Sequence, residues 1–220
     1  KPYKHLRLME AHREVVDELL YEDPSGKLQF AHAALSQVAM PYRSVGQSYT
    51  RTSGPWSLGL TINPVLVRAG ENGFLRKDTA EVPYGPRSRL VLLALQTRAV
   101  QTKSPSVSVE PSFTAFARIL GLGTDGRSLR SLRAQMINLS LAHVGLSYSR
   151  KEKFSIYQGN IFSELHVNLQ ADENQRPIWP DEVRFSTDYY ESLIQHALPV
   201  RSEAIHALRS SARSLDFYVF

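Results

Sequence analysis

Residues 111–153 read PSFTAFARILGLGTDGRSLRSLRAQMINLSLAHVGLSYSRKEK, and this stretch decides the expected fold. A short apolar helix pattern ends at glycine, and a longer helix pattern rich in arginine follows. A strand-like run then ends in Arg150-Lys151-Glu152-Lys153. This order of helix, turn, basic helix and β-ribbon is typical of a winged helix-turn-helix that faces DNA. The segment therefore predicts a nucleic-acid binder rather than an enzyme.

The basic helix is predicted from about Arg127 to His143 and has two unlike faces. Its apolar stripe, spaced by three and four residues, consists of Leu129, Leu132, Met136 and Leu139. The predicted DNA-binding residues of the helix are Arg127, Ser128, Arg130, Ser131, Arg133 and Asn138. Arginines there can reach phosphates or guanine edges. We also expect the turn residues 123–126 to leave backbone amides open to phosphate at the helix start.

The ribbon after this helix adds Arg150, Lys151 and Lys153, which a wing would place beside the DNA backbone. Between Gly123 and Lys153 there are six Lys or Arg residues and two acids. A solvated amphipathic helix on the surface of an all-α or α+β domain would explain the arginines equally well, because arginine is a good helix former. The basic ribbon directly after the helix favours DNA contact.

Composition limits the classes of protein that the chain can represent. With 220 residues, 42% hydrophobic and 21% charged, it has the composition of a globular protein, and its net charge of +5 favours a polyanionic partner. It has no cysteine, which excludes disulfides and cysteine-ligated zinc. No apolar run approaches the roughly 20 residues of a membrane helix. The chain lacks an initial Met and ends in a helix-like run, Leu215–Phe220, so we expect the natural protein to continue.

The patterns along the chain predict an α+β fold in three parts. Residues 1–84 are expected to form an N-terminal extension of helix and short strands packed on the core, with a helix over 5–20. Residues 85–198 form the winged helix-turn-helix domain, which includes a helix over Arg87–Thr102 and a helix over Thr187–Leu198 that Pro199 ends. Residues 199–220 begin a linker helix or a second winged-helix domain.

No motif for catalysis is complete in this chain. The histidines form neither a His-x-His pair nor a His-Glu-x-x-His motif. Residues 121–128 have the spacing of a phosphate loop, but Arg127 replaces the required lysine, and a helix rather than a strand precedes them. The pair Tyr189-Tyr190 is interpreted as helix packing rather than as a nucleophile. We therefore expect a protein that is not an enzyme and has no metal or cofactor.

Several short motifs resemble those of the RepA-type plasmid replication initiators. They are, in chain order, Pro83–Leu90, Thr102-Lys103-Ser104, Phe116–Leu122, Ser131–Met136, Ile178-Trp179-Pro180, Val183–Ser186, Tyr189-Tyr190-Glu191, Leu198-Pro199-Val200 and Ser214–Tyr218. The order of these motifs along the chain carries the resemblance. The resemblance covers about residues 28–220.

The resemblance implies an initiator that binds repeated duplex sites, called iterons, at a plasmid origin. It further implies monomers that initiate and a homodimer that represses, recruitment of the host initiator and helicase, and a plasmid-associated place in the bacterial cytoplasm without a membrane partner. Such proteins usually have two winged-helix domains, and this chain stops where the second would begin. Two alternatives remain open: a winged-helix transcription regulator, and a winged-helix dimerisation module that reads no bases.

Overall fold

The computed structural model of the protein describes residues 14–19, 21, 26–62, 80–109, 112–150, 153–167 and 180–219. Residues 14–19 form helix α1. The other elements, in chain order, are β1 (Leu28–His32), α2 (Ala33–Gln37), β2 (Ser48–Ser53), β3 (Trp56–Ile62), α3 (Gly85–Thr102), β4 (Ser106–Ser108), α4 (Phe113–Ile119), α5 (Gly126–Leu141), β5 (Ala142–Arg150), β6 (Lys153–Asn160), β7 (Phe162–Val167), β8 (Pro180–Phe185), α6 (Thr187–Gln195), β9 (Ala197–Arg201), α7 (Ser202–Leu208) and α8 (Ala212–Val219). The expected mixture of helices and strands is confirmed.

Helix α3 lies at the centre of the core. It begins at Gly85-Pro86, where proline suits the first turn because its missing N–H would have no partner in the helix. Residues 90–93 are buried one after another, so the helix is covered on several sides. It packs against β1, α5 and α8. The helix predicted for Arg87–Thr102 is confirmed.

Within the described residues, the strands form three antiparallel sheets. Strands β1 and β9 make one pair, β2-β3-β5-β6 make a four-stranded sheet, and β4-β8-β7 make a three-stranded sheet. Strands β1 and β3 precede residue 85, but they pair with β9 and β5, which follow it. Strand β9 also spans the predicted boundary between residues 198 and 199. The division of the chain into 1–84, 85–198 and 199–220 stays a prediction.

The basic ribbon after α5 lies in a different sheet from the one expected. A wing would share a sheet with β4, the strand between α3 and α4, but β5 pairs with β3 and β6 instead. The reason is apolar matching: Leu146 lies opposite Leu58, and Val144 lies opposite Leu60. Leu58, Leu60 and Val144 are buried, and Leu146 is partly buried. The interpretation of the 150–153 ribbon as the wing that directly follows the basic helix is therefore wrong.

The helix predicted for Thr187–Leu198 ends earlier, at Gln195. Residues 197–201 are strand β9, in which Pro199 lies opposite Phe30. Ala197 and Val200 of this strand are buried, and proline is tolerated at a sheet edge. The start of the helix predicted over 5–20 lies outside the described residues, which begin at residue 14.

Candidate nucleic-acid interface

Helices α4 and α5 are held at their ends by short polar side chains. Ser112 is the N-cap of α4: its hydroxyl accepts a hydrogen bond from the backbone N–H of Ala115 over 3.1 Å. Gly121 then turns the chain with a φ of 66°, a left-handed conformation that glycine adopts without a steric penalty. A tight turn thus connects α4 to α5, and the N-terminal half of α5 lies next to this turn.

The start of α5 is occupied by its own cap. One carboxylate oxygen of Asp125 accepts hydrogen bonds from the backbone N–H groups of Arg127 and Ser128, each 3.0 Å long. The Ser128 hydroxyl donates to the other oxygen over 2.6 Å, and this bond, followed by the backbone ones, lowers the pKa of Asp125. The amides of Arg127 and Ser128 are therefore closed to phosphate, because an anionic side chain already binds them.

The buried face of α5 fixes the helix to the core. Leu132, Met136 and Leu139, three of the four residues predicted for the apolar stripe, are buried, and Leu129 packs at the edge of the core. Helix α5 packs against α3 and β7. The direction of the opposite face is thereby set by ordinary core packing.

The exposed face of α5 carries two arginines about one turn apart. Arg127 and Arg130 are exposed, as is Ala134, while Ser128 and Ser131 are half-buried. Within the part of the chain that the structure describes, neither arginine forms an ion pair with a carboxylate. The two guanidinium groups are therefore available to phosphate oxygens.

Arg133 has a mixed environment. Its guanidinium lies 5.4 Å from the centre of the Phe113 ring, so it joins α5 to the first residue of α4. Its Nε atom is buried and has no hydrogen-bond partner among the described residues. Burial lowers the pKa of Arg133. Packing therefore accounts for part of what the sequence assigned to DNA contact.

Asn138 does not belong to the exposed face. Its side chain is 4% exposed, and its Oδ1 accepts a hydrogen bond from the backbone N–H of Glu81 over 3.2 Å. About one turn earlier, Oε1 of Gln135 accepts from the backbone N–H of Tyr84 over 2.9 Å. The assignment of Asn138 to DNA is wrong, because the segment 80–84 covers this end of the helix.

The ribbon residues of the predicted site are only partly described. Arg150 and Lys153 lie opposite each other where β5 and β6 meet, and nothing is described of their side chains. Lys151 lies outside the described residues. The predicted site is thus divided between the exposed start of α5 and the end of a hairpin in the four-stranded sheet.

Sequence reasoning missed Arg118, which is exposed in the last turn of α4. It stands within an apolar helix pattern, FARIL, in which a single charged residue marks the solvent side. Sequence reasoning also missed the structural role of Gln135, which binds the backbone of Tyr84. The only sequence signal for this role was an amide side chain next to the apolar stripe. Arg118 extends the exposed basic residues to the helix that precedes the turn.

The tyrosine pair is accounted for by packing, as predicted. Tyr189 is 2% exposed, and its hydroxyl accepts a hydrogen bond from Nε2 of Gln96 over 2.6 Å. Burial raises its pKa. Its ring stacks on Phe185 and contacts His32. A hydroxyl held in this way is a structural group of the core.

Two negative findings hold for the described residues. They contain no group of three or more His, Asp or Glu side chains placed to hold a metal ion. They also contain no helix of the length and apolarity that crossing a membrane requires.

Residues 82–220, well over half of the chain, match a family model described as "Plasmid encoded RepA protein". This match places the chain in a class of plasmid-encoded proteins. The chain belongs to the RepA family, which confirms the resemblance inferred from the motifs. No curated protein matches the chain.

Two crystal structures of domains 2 and 3 of RctB are similar to the chain. One has 12% sequence identity and a TM-score of 0.49, over 74% of this chain and 58% of that one. The other, of the selenomethionine derivative, has 12% identity and a TM-score of 0.48, over 73% of this chain and 60% of that one. This chain therefore spans less than two thirds of either structure.

Proposed function

We propose that this chain is a plasmid replication initiator that binds duplex DNA at the origin through helix α5. Membership of the RepA family supports the initiator role. The single observation that carries DNA binding is the pair Arg127 and Arg130, exposed and without carboxylate partners among the described residues. Two positive groups about one turn apart, on a helix fixed by its opposite face, suit adjacent backbone phosphates.

The proposal includes a winged-helix fold for residues 85–185. The order α3, β4, α4, α5, β7, β8 is that of a helix-turn-helix followed by a hairpin, and β8 lies between β4 and β7 in one sheet. On this proposal the hairpin of β7 and β8 is the wing. Strands β5 and β6 are then an insertion between the recognition helix and the wing, completed by β2 and β3.

The finer functional steps are also proposed. The protein binds iterons, acts as a monomer in initiation and as a dimer in repression, and recruits the host initiator and helicase in the bacterial cytoplasm. It acts by binding, without catalysis or a cofactor. A winged-helix transcription regulator, or a dimerisation module that reads no bases, would present the same α5.

The test compares DNA binding by wild type, Arg127→Ala, Arg130→Ala and the control Arg201→Ala, which removes an exposed arginine of β9. Fluorescence anisotropy is measured on a duplex with direct repeats from the plasmid origin and on a scrambled duplex, over a range of salt concentrations. We expect the wild type to bind the duplex with direct repeats more tightly than the scrambled duplex. Each α5 substitution should reduce the log–log salt slope by about 0.9 for each phosphate that the variant no longer neutralises.

Equal binding to repeated and scrambled duplexes, or α5 variants that bind like Arg201→Ala, would contradict the proposal. A plasmid that carries only the origin separates the two DNA-binding alternatives. An initiator supplied in trans maintains that plasmid, whereas a transcription regulator does not.

A further inference from the structure

Three arginines converge on one aromatic ring away from α5. The guanidinium carbons of Arg51, Arg89 and Arg213 lie 5.7, 5.3 and 5.4 Å from the centre of the Tyr42 ring. They come from β2, α3 and α8, so segments far apart in the sequence build the cluster. Three like charges around one ring repel each other unless anions compensate them.

Among the described residues, Arg89 alone of the three arginines is compensated. It is buried, and its Nε and Nη2 atoms donate to the two carboxylate oxygens of Asp216 over 2.5 and 2.7 Å. Its remaining donors bind the backbone oxygens of Met40, Pro41 and Gly85. Arg89 and Asp216 therefore form a closed, neutral pair with no donor left for a ligand.

Arg51 and Arg213 keep their charge without a carboxylate partner among the described residues. Both are exposed. Arg51 hydrogen-bonds to Tyr49 and Tyr42, bonds that raise its pKa, and a guanidinium has five N–H donors, so others remain. Two arginines with unused donors thus face the same ring.

A cleft of about 890 Å³ opens between these two arginines. Arg51 and Arg213 line it together with the hydroxyl residues Ser36, Ser53 and Ser214. Phe217, which is 88% exposed, and Tyr218 also line it. Among the described residues of this lining, Asp216 is the one acid, and Arg89 neutralises it. The cleft is therefore positive, with serine side chains and aromatic rings beside the charges.

We propose that this cleft is a binding site for a phosphate group, held between Arg51 and Arg213. Guanidinium groups bind phosphate oxygens through two parallel hydrogen bonds. The aromatic side chains suit a base attached to that phosphate, because every base offers a face for stacking. A bound anion also removes the repulsion between the two arginines. The site is separate from α5 and goes beyond the proposed function.

The phosphate can come from a free nucleotide or from a nucleic-acid backbone. Isothermal titration calorimetry of the whole chain with pyrophosphate, ATP, a single-stranded oligonucleotide and a scrambled duplex, at constant ionic strength, distinguishes these sources. The variants are Arg51→Gln and Arg213→Gln, which remove charge from exposed positions. Arg201→Gln, at an exposed arginine of β9, is the control for every probe.

We expect each cleft variant to weaken binding roughly tenfold or more, because a hydrogen bond to a charged group contributes on this scale. Loss of pyrophosphate or ATP binding assigns a free phosphate compound to the cleft. A loss confined to DNA, and larger than for Arg201→Gln, assigns a backbone phosphate. The inference is overturned if no probe binds, or if both cleft variants bind every probe as Arg201→Gln does. Circular dichroism melting confirms that each variant is folded.

Discussion

The Nε atom of Arg209 donates a hydrogen bond to the carbonyl oxygen of Gly121 over 2.8 Å. Arg209 follows α7, and Gly121 lies in the turn between α4 and α5, so this bond joins the C-terminal helices to the candidate DNA-binding unit. His206, about one turn before Arg209, lies where a side chain on Gly121 would have to be. The position of the turn therefore depends on residues more than 80 positions later in the chain.

Substituting Gly121→Ala should destabilise the protein. The residue has a φ of 66°, and an added Cβ would collide with the His206 ring. We expect a loss of about 2 kcal/mol in the free energy of unfolding, from strain and displaced packing together. Urea denaturation measures it. Gly145→Ala is the matched control because a Cβ there meets nothing within 4 Å. If both variants were equally stable, the tight contact would have no energetic role.

Substituting Asn138→Ala should reduce stability without changing DNA affinity. The backbone N–H of Glu81 loses its acceptor, which costs about 1–2 kcal/mol when the group stays out of water. Arg130→Ala should show the opposite behaviour, with normal stability and weaker DNA binding. Thermal melts and anisotropy on the same preparations check both. A drop in DNA affinity for Asn138→Ala, at temperatures where it is folded, would restore that residue to the interface.

Substituting Asp216→Asn should be costly, because it leaves the buried Arg89 guanidinium without its counter-charge. Removing one partner of a buried pair costs about 3–5 kcal/mol. Since Asp216 is partly exposed, we expect a value at or below the lower end of that range. Asp181→Asn, at an exposed residue of β8, is the control. Chemical denaturation that found the two variants equally stable would show that the pair contributes little.

Stability should fall on mild acidification because of His32. Burial, and then the nearby His196, lower the pKa of His32 from 6.5 to about 4, so the folded protein holds it neutral. Its Nδ1 accepts from the backbone N–H of Ala34, and its Nε2 bonds to the Ser192 hydroxyl. The contribution is complete above pH 6.5 and is lost as the pH falls towards 4, to a total of about 3 kcal/mol.

The check is a comparison of the unfolding free energies of wild type and His32→Gln between pH 4 and pH 7.5. Carboxylates titrate in both proteins, so the difference between the two curves isolates His32. We expect that difference to shift against wild type as the pH falls. A constant difference would mean that His32 does not resist protonation in the folded state.

Local signals allowed much of the helical structure to be predicted. Pro86 and Ser112 mark helix starts by rules that involve only neighbouring residues, and the structure has helices at both places. The exposed positions of Arg127 and Arg130 follow from the period of the apolar stripe. These features need no knowledge of distant parts of the chain.

The sheets could not be predicted in the same way, because strand pairing is decided between distant segments. Strand β5 pairs with β3, although more than 80 residues separate Leu58 from Leu146. The burial of Asn138 depends likewise on the segment 80–84 crossing α5. A helical wheel records which residues share a face, but not which part of the chain covers that face.

The pairing of β1 with β9 has a consequence for biosynthesis. Leu28 lies opposite Arg201, so the first strand of the described chain finds its sheet partner near the end of that chain. On the ribosome, the segment Leu28–His32 must wait for almost the whole of this sequence to be translated. Contacts this distant slow folding, because a long loop has to close first. A nascent chain that is released early lacks β9, so β1, which contains the fully buried Phe30, is left without its sheet partner.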